Sequence, residues 1–181
     1  MTENDRKKWD AKYLEKTGKS EPSSILVKYW SLAPGKHALD IACGNGRNSI
    51  FLAERGLTVD AVDISTVATR RLEGRHPNIH VICTDLDTWV IPPDRYDLIV
   101  NIRFLDRRLF PMIQGGLKNG GVLVFESFMD GVKDEYCLKQ NELLCAFQDL
   151  RIVYYEEKEA EHHREKFDQV ASLVAIKMPN P

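Results

Sequence analysis

Short, uninterrupted apolar runs recur along the chain at 37–42, 58–64, 79–85, 96–102 and 121–128, with helix-like segments between them. Runs lacking polar alternation suit strands covered on both faces, so the pattern predicts a parallel sheet flanked by helices. Between the first two runs, 48–55 reads as a helix ended by Gly56; between the second and third, Ser65 caps a helix over 66–75. The order is βαβαβ. Pro92-Pro93 divides the third run from the fourth, and Lys118-Asn119-Gly120-Gly121 predicts a tight turn into the fifth. After that, 141–147 reads as helical, and 150–157 and 171–177 as two closing strands. The charge-dense stretch 158–169 between them predicts an exposed, mobile loop. Ahead of the first run, helices over 5–15 and 23–30 flank a breaker at 18–22. Trp9 and Tyr13 share a face of the first helix, which is therefore read either as a lid over the ligand edge of the sheet or as an amphipathic helix packed in the ordinary way.

At 181 residues the chain fits a single domain, 1–181, with 1–35 as an N-terminal helical lid segment. Lys and Arg number 25 against 27 Asp and Glu, and this near balance, with no basic stripe, argues against a nucleic-acid partner. The first residues are charged and no segment has the length of an apolar membrane span, so a cytoplasmic location without membrane contact is expected. Cys43, Cys83, Cys137 and Cys145 lack ligand or disulfide spacing and read as reduced thiols. His162-His163 has no third ligand nearby and reads as solvated, so no metal is expected.

The most informative segment is Leu39-Asp40-Ile41-Ala42-Cys43-Gly44-Asn45-Gly46-Arg47-Asn48, where a strand enters a glycine-bearing turn and then a helix. Gly44 and Gly46 allow a tight turn and a close approach to a ligand. A carboxylate at Asp40 repels a pyrophosphate but favours a ligand with a cationic amino-acid moiety, which points to S-adenosylmethionine over a dinucleotide. In an open α/β sheet ligands gather at the carboxyl ends of the strands, and three of those ends carry an aspartate: Asp40, Asp63 and Asp85. Asp63, about 20 residues past the turn, has the spacing of a ribose ligand. Ile64 next to it offers an apolar surface to a base, and Asp85 an acceptor for an exocyclic amine. Taken singly, each aspartate also fits a cap or a turn.

These residues resemble the class I S-adenosylmethionine-dependent methyltransferases over nearly the whole chain. Asp-x-Ala-Cys-Gly-x-Gly-Arg-Asn is similar to the form found in the small bacterial tellurite-resistance-like subgroup, as are Lys8-Trp9-Asp10, Arg103-Phe104-Leu105-Asp106-Arg107 and Asn141-Glu142-Leu143-Leu144. Ala42 departs from the glycine more usual in the general motif. The resemblance implies a Rossmann-like, doubly wound, seven-stranded, mostly parallel sheet with helices on both faces and the last strand antiparallel. In it 171–177 inserts beside the fifth strand and 150–157 forms an edge. It also implies that Asp40 and the backbone of Ala42, Cys43, Gly44, Asn45 and Gly46 hold the methionine part, with Asn48 and Asn101 completing the pocket. Asp63 would hold the ribose, and Ile64, Asp85 and Leu86 the adenine, S-adenosylhomocysteine being the product.

Methyl transfer needs alignment more than any fixed catalytic group, so the acceptor is less legible than the donor. Asn101-Ile102-Arg103-Phe104 lacks the Pro-Pro-aromatic sequence of nucleic-acid amino-methylating enzymes. Tyr13, Arg103, Arg107 and Glu126 are the acceptor-site candidates. Arg103 and Arg107, four apart, are read as facing one small anion or oxyanion, or else as a solvated face with Arg107 paired to an acid. Two other classes compete: a nicotinamide-dependent oxidoreductase, whose third glycine position is Ser49 here, and an S-adenosylmethionine-binding interaction module without activity.

Overall fold

The computed structural model describes residues 3–15, 18, 20–129, 136–164 and 167–179. Each continuous apolar run forms a strand: β1 (His37–Ile41), β2 (Thr58–Asp63), β3 (Ile79–Cys83), β4 (Tyr96–Ile102) and β5 (Leu117–Met129). The helices are α1 (Glu3–Glu15), α2 (Ser24–Tyr29), α3 (Arg47–Ala53), α4 (Thr66–Leu72), α5 (Leu109–Gly116) and α6 (Glu142–Ala146), and β6 (Arg151–Arg164) and β7 (Phe167–Ile176) close the fold. Ser65 caps α4 as its sequence position predicts, its hydroxyl accepting the Ala68 amide at 3.1 Å.

The seven strands lie in the order β3-β2-β1-β4-β5-β7-β6. Pairing from β3 through β5 is parallel, and β7 runs antiparallel between β5 and β6. The expected seven-stranded doubly wound sheet is thus present. Strand order reverses between β1 and β4, which places the ligand crevice at their carboxyl ends. Alternate residues feed two cores. Leu39, Ile41, Ile99, Leu123 and Phe125 meet α5 and α6 on one face; Ala38, Val59, Ala61, Leu98, Val100, Val122 and Val124 meet α2, α3 and α4 on the other.

Three expectations change. Residues 158–169 are not a loop: β6 and β7 continue through most of this stretch, residues 165 and 166 lying outside the described ones. β6 is an edge strand, where charge is compatible with pairing on one side and solvent on the other, so charge density did not mark a loop. The glycine turn at 118–121 lies inside β5 and not ahead of it: Leu117 pairs with Tyr96 and Val122 with Leu98, the residues between them fold back on Lys118, and Gly120 adopts φ +80°. Helix α5 was not expected from its short, Pro- and Gly-bearing sequence. The side chains of His162 and His163 lie outside the described ones.

The N-terminal segment divides into two parts. Ile25 and Leu26 of α2 are buried in the core, whereas α1 has no buried residue and lies against α4. The half-buried positions of α1 are 5, 6, 9, 10 and 13, so it packs by its Trp9–Tyr13 face without reaching the core.

Candidate active site

The turn after β1 is built from left-handed backbone, with φ of 52° at Ala42, 56° at Gly44 and 75° at Gly46. A Cβ on Gly44 would displace the Tyr13 hydroxyl, and one on Gly46 the end of the Leu72 side chain, in addition to the strain of a left-handed backbone. Ala42 occupies a conformation that costs a side-chain-bearing residue about 1–2 kcal/mol, which explains the glycine of the general motif. Two bonds join the turn to the end of β2: the Cys43 amide to the Val62 carbonyl at 3.0 Å, and the Gly44 amide to Asp63 Oδ2 at 2.8 Å.

The carboxylates Asp40 and Asp63 underlie this turn. Asp40 is buried and accepts the Ser49 hydroxyl through Oδ2 at 2.6 Å. Burial pushes its carboxyl up from the usual 3.8 to about 7, against the lowering effect of the Ser49 bond. Asp63 is also buried and pushed up by burial, an effect opposed by the Ser65 and Gly44 amides it accepts. Ser65 in turn links this end of β2 to α1. Its hydroxyl donates to Asp10 Oδ1 at 2.6 Å, Thr66 Oγ1 donates to Asp10 Oδ2 at 2.8 Å, and the Val67 amide reaches Asp10 Oδ1 at 3.1 Å. Burial raises the Asp10 carboxyl, but these bonds outweigh it and hold the group below its ordinary range. Arg71 adds a 2.5 Å bond to the Tyr13 carbonyl.

Helix α1 so docked sets the Tyr13 phenol over Gly44, with Trp9 at 6.1 Å between ring centroids. Burial and the nearby Asp63 push the phenol pKa up, so Tyr13 is a neutral donor at physiological pH. The Cys43 thiol, raised by burial and then by Asp40, is likewise protonated. Asn48 binds the Ser23 amide at 3.0 Å and Asn101 the Phe104 carbonyl at 2.7 Å, so both fix backbone beside the turn and the end of β4. Asn45 Oδ1 is buried without a hydrogen-bond partner among the described residues, an orphaned acceptor in the turn. Ile64 and Leu86 are buried. Asp85 lies two residues beyond β3, where its Oδ1 accepts the Asp87 amide at 2.9 Å. The residues expected at the donor site thus converge along the carboxyl edge of β1, β2, β3 and β4. Asp10, which anchors α1, was not among them; its only sequence signal was its place in Lys8-Trp9-Asp10.

The acceptor candidates separate. Segment 103–108 is not helical, so spacing by four does not put Arg103 and Arg107 on one face. Arg107 turns to α6, donating to Glu142 Oε1 and Oε2 at 2.6 and 2.9 Å and to the Cys137 carbonyl at 2.8 Å. The expectation of a shared anion is corrected: Arg107 has the bidentate carboxylate partner of the alternative reading. Arg103 follows β4 with φ of 62°, and its Nε lies 3.6 Å from Glu126 Oε1 of β5, buried and without a hydrogen-bond partner. Glu126 is buried and accepts the Ser172 hydroxyl at 3.3 Å.

Residues 38–121 match the family described as "Methyltransferase domain". The chain is similar to a ubiquinone biosynthesis O-methyltransferase of Coxiella burnetii, 32% identical over 102 residues, or 51% of this chain and 44% of that protein. It therefore spans less than half the length of this relative. Among solved structures, TehB from Haemophilus influenzae superposes with a TM-score of 0.77 at 21% identity, over 93% of this chain and 67% of that one. An S-adenosylmethionine-dependent methyltransferase from Methanosarcina mazei gives 0.70 at 19% identity, over 89% of this chain and 100% of that one. The fold is the one these proteins share.

Proposed function

We propose that this chain, with a methyltransferase domain over 38–121, is an S-adenosylmethionine-dependent methyltransferase acting on a small-molecule acceptor. The observation that carries the reading is the convergence of Asp40, the Gly44 turn and Asp63 beneath Tyr13, closed by the 2.8 Å bond from Gly44 to Asp63. Two buried carboxylates under a turn of left-handed backbone favour a ligand with a cationic group and hydroxyl donors, and disfavour a pyrophosphate. That charge pattern argues against the nicotinamide alternative, whose third glycine position holds Ser49, bonded to Asp40.

The residues fit the donor as follows. Asp40 balances the ammonium of the amino-acid moiety, and Asn45 Oδ1 offers an acceptor beside it. Each Asp63 oxygen has lone-pair capacity left for a ribose hydroxyl after binding one amide. Ile64 and Leu86 flank the adenine, with Asp85 at its amine. Asn48 and Asn101 hold the surrounding backbone, and Tyr13 with α1 shields the site from water. Bound there, S-adenosylmethionine supplies an electrophilic methyl carbon on a sulfonium sulfur. The protein's share of the reaction is to align an acceptor on that carbon and exclude water.

Calorimetric titration with S-adenosylmethionine and S-adenosylhomocysteine tests this, with NADH and NADPH as controls. The adenosyl ligands should saturate, and Asp63→Ala should weaken them by about 1.5–3 kcal/mol, the range for a hydrogen bond to a charged group. Binding of the nicotinamide ligands alone would overturn the reading. Cofactor binding without turnover on any acceptor would instead describe an inactive binding module.

A further inference from the structure

On the α2 face of the sheet lies a cleft of about 180 Å³ lined by Lys28, Tyr29, Glu126, Tyr154, Lys158 and Ser172 among others. The register explains its position. Glu126 pairs with Ile102 at the end of β4 on one side and with Ser172 on the other, and Ser172 pairs with Glu156, so the cleft lies toward the carboxyl edge that carries the donor residues. The segment before α2 joins it to the turn helix: the Ser23 amide binds Asn48, and Arg47 binds the Glu21 carbonyl at 3.1 Å. At its inner end the Glu126 carboxylate has, among the described residues, long partners, Ser172 at 3.3 Å and Arg103 at 3.6 Å, and the Arg103 guanidinium lies 5.4 Å from the Phe128 ring. At the other end the Lys28 ammonium sits 5.1 and 5.3 Å from the Tyr29 and Tyr154 rings, which are themselves 5.3 Å apart. Lys158 pairs with Glu156 at 3.2 Å. Three cations thus meet two carboxylates around an aromatic wall.

We infer that this cleft receives the methyl acceptor, and that the acceptor is a small aromatic acid bearing a hydroxyl. This deepens the methyltransferase reading and rests on it for the chemistry. The acid group lies toward Lys28 and Lys158, the ring against Tyr29 and Tyr154, and the hydroxyl at Glu126. In the transfer the acceptor oxygen gives its proton to the Glu126 carboxylate and forms the bond to the methyl carbon. The carbon–sulfur bond breaks with its electron pair remaining on sulfur, which becomes a neutral thioether, and Glu126 returns the proton to solvent. Arg103 is a positioning residue: its guanidinium, 3.6 Å from Glu126 Oε1, orients that carboxylate at the meeting point of the two sites.

The test uses 4-hydroxybenzoate titrated into the full chain with and without saturating S-adenosylhomocysteine, read by calorimetry and by the ring proton resonances of Tyr29 and Tyr154. Saturable binding that shifts both rings is expected, with 4-hydroxybenzamide binding about tenfold more weakly because it lacks the charge. Lys28→Met should weaken the benzoate by a similar factor and leave S-adenosylhomocysteine affinity unchanged. Glu126→Gln should keep both ligands bound while formation of 4-methoxybenzoate falls by about 100-fold in kcat at constant KM. Equal affinity for acid and amide, or normal benzoate binding by Lys28→Met, overturns the anionic pole. Binding of the benzoate without any 4-methoxybenzoate overturns the role of Glu126. Normal S-adenosylhomocysteine binding with no benzoate binding overturns the cleft and leaves the donor site standing. Benzoate binding with no affinity for S-adenosylhomocysteine overturns the methyltransferase reading instead.

Discussion

Asp40 is a buried carboxyl that in the proposed site faces the ligand's ammonium, and its protonation would couple folding to binding. The folded-state pKa of about 7 lies above the usual 3.8, so this group's contribution to stability is present in full below about pH 4 and is lost as pH rises through 7. A ligand ammonium prefers the ionised form, so binding expels the proton and affinity runs the opposite way. S-adenosylhomocysteine affinity should rise by up to about tenfold per pH unit between roughly pH 5 and 7 and level off above, with Asp40→Asn flattening the profile. Calorimetry across that range in buffers of different ionisation enthalpy reads both the affinity and the released proton, and a flat wild-type profile would contradict the coupling. At this scale the sequence was legible wherever chemistry is local. The glycines at 44 and 46 and the carboxylates at 40 and 63 carry their meaning in spacing along the chain, and the fold brings them together. Of the two readings of Arg107 the shared anion failed, because its spacing from Arg103 has meaning only on a helix, and the acid it pairs with, Glu142, is 35 residues away. Asp10 was missed for the same reason: its bonds to Ser65, Thr66 and Val67 span more than 50 residues of chain.

Among the elements, α1 is the one whose stability rests on few contacts. It has no buried residue, and the bonds from α4 and its cap to Asp10, with that from Arg71 to Tyr13, tie it down over the glycine turn. Elements with little buried apolar surface open at low free-energy cost, a property suited to a lid. Removing the latch with Asp10→Ala should release about 1 kcal/mol of docking energy, comparable to a lost cap, and weaken S-adenosylhomocysteine about fivefold. The amides of 5–13 should exchange faster in hydrogen-exchange mass spectrometry while the denaturation midpoint moves little. Unchanged exchange in α1 would show that other contacts hold the lid. Strands and helices inside the sheet core were readable because burial on both faces enforces uninterrupted apolar runs. The edge hairpin β6–β7 was not, since an edge strand tolerates the same charge that marks a loop. Helix α5 was hidden by its own composition, Pro111 falling in its first turn, where proline is tolerated, and Gly115 and Gly116 at its end.

The sheet as a whole separates what holds the molecule together from what binds. Its carboxyl edge carries the proposed donor residues on β1, β2 and β4 and the proposed acceptor cleft on β5, β6 and β7, so the two proposed sites meet at β4 and β5. The face away from the cleft is packed by Phe110, Phe125 and Phe147, whose rings lie 5.2 to 5.9 Å apart between centroids and join α5 and α6 to β5. Phe147 is fully buried there. Its truncation removes a ring from a close-packed cluster that can collapse only in part, so Phe147→Ala should cost about 3–5 kcal/mol. Val62 and Ala42 pack on the same core as Phe147, but the turn after β1 is fixed by hydrogen bonds to β2 and by α1, so the loss should fall mainly on stability. Urea denaturation followed by circular dichroism should show a lower midpoint with an unchanged slope, and the remaining folded protein should bind S-adenosylhomocysteine with wild-type affinity. A parallel loss of affinity would mean that the two faces of the sheet are coupled through β4, and that the donor turn takes its geometry from packing on the far face as well as from its own hydrogen bonds.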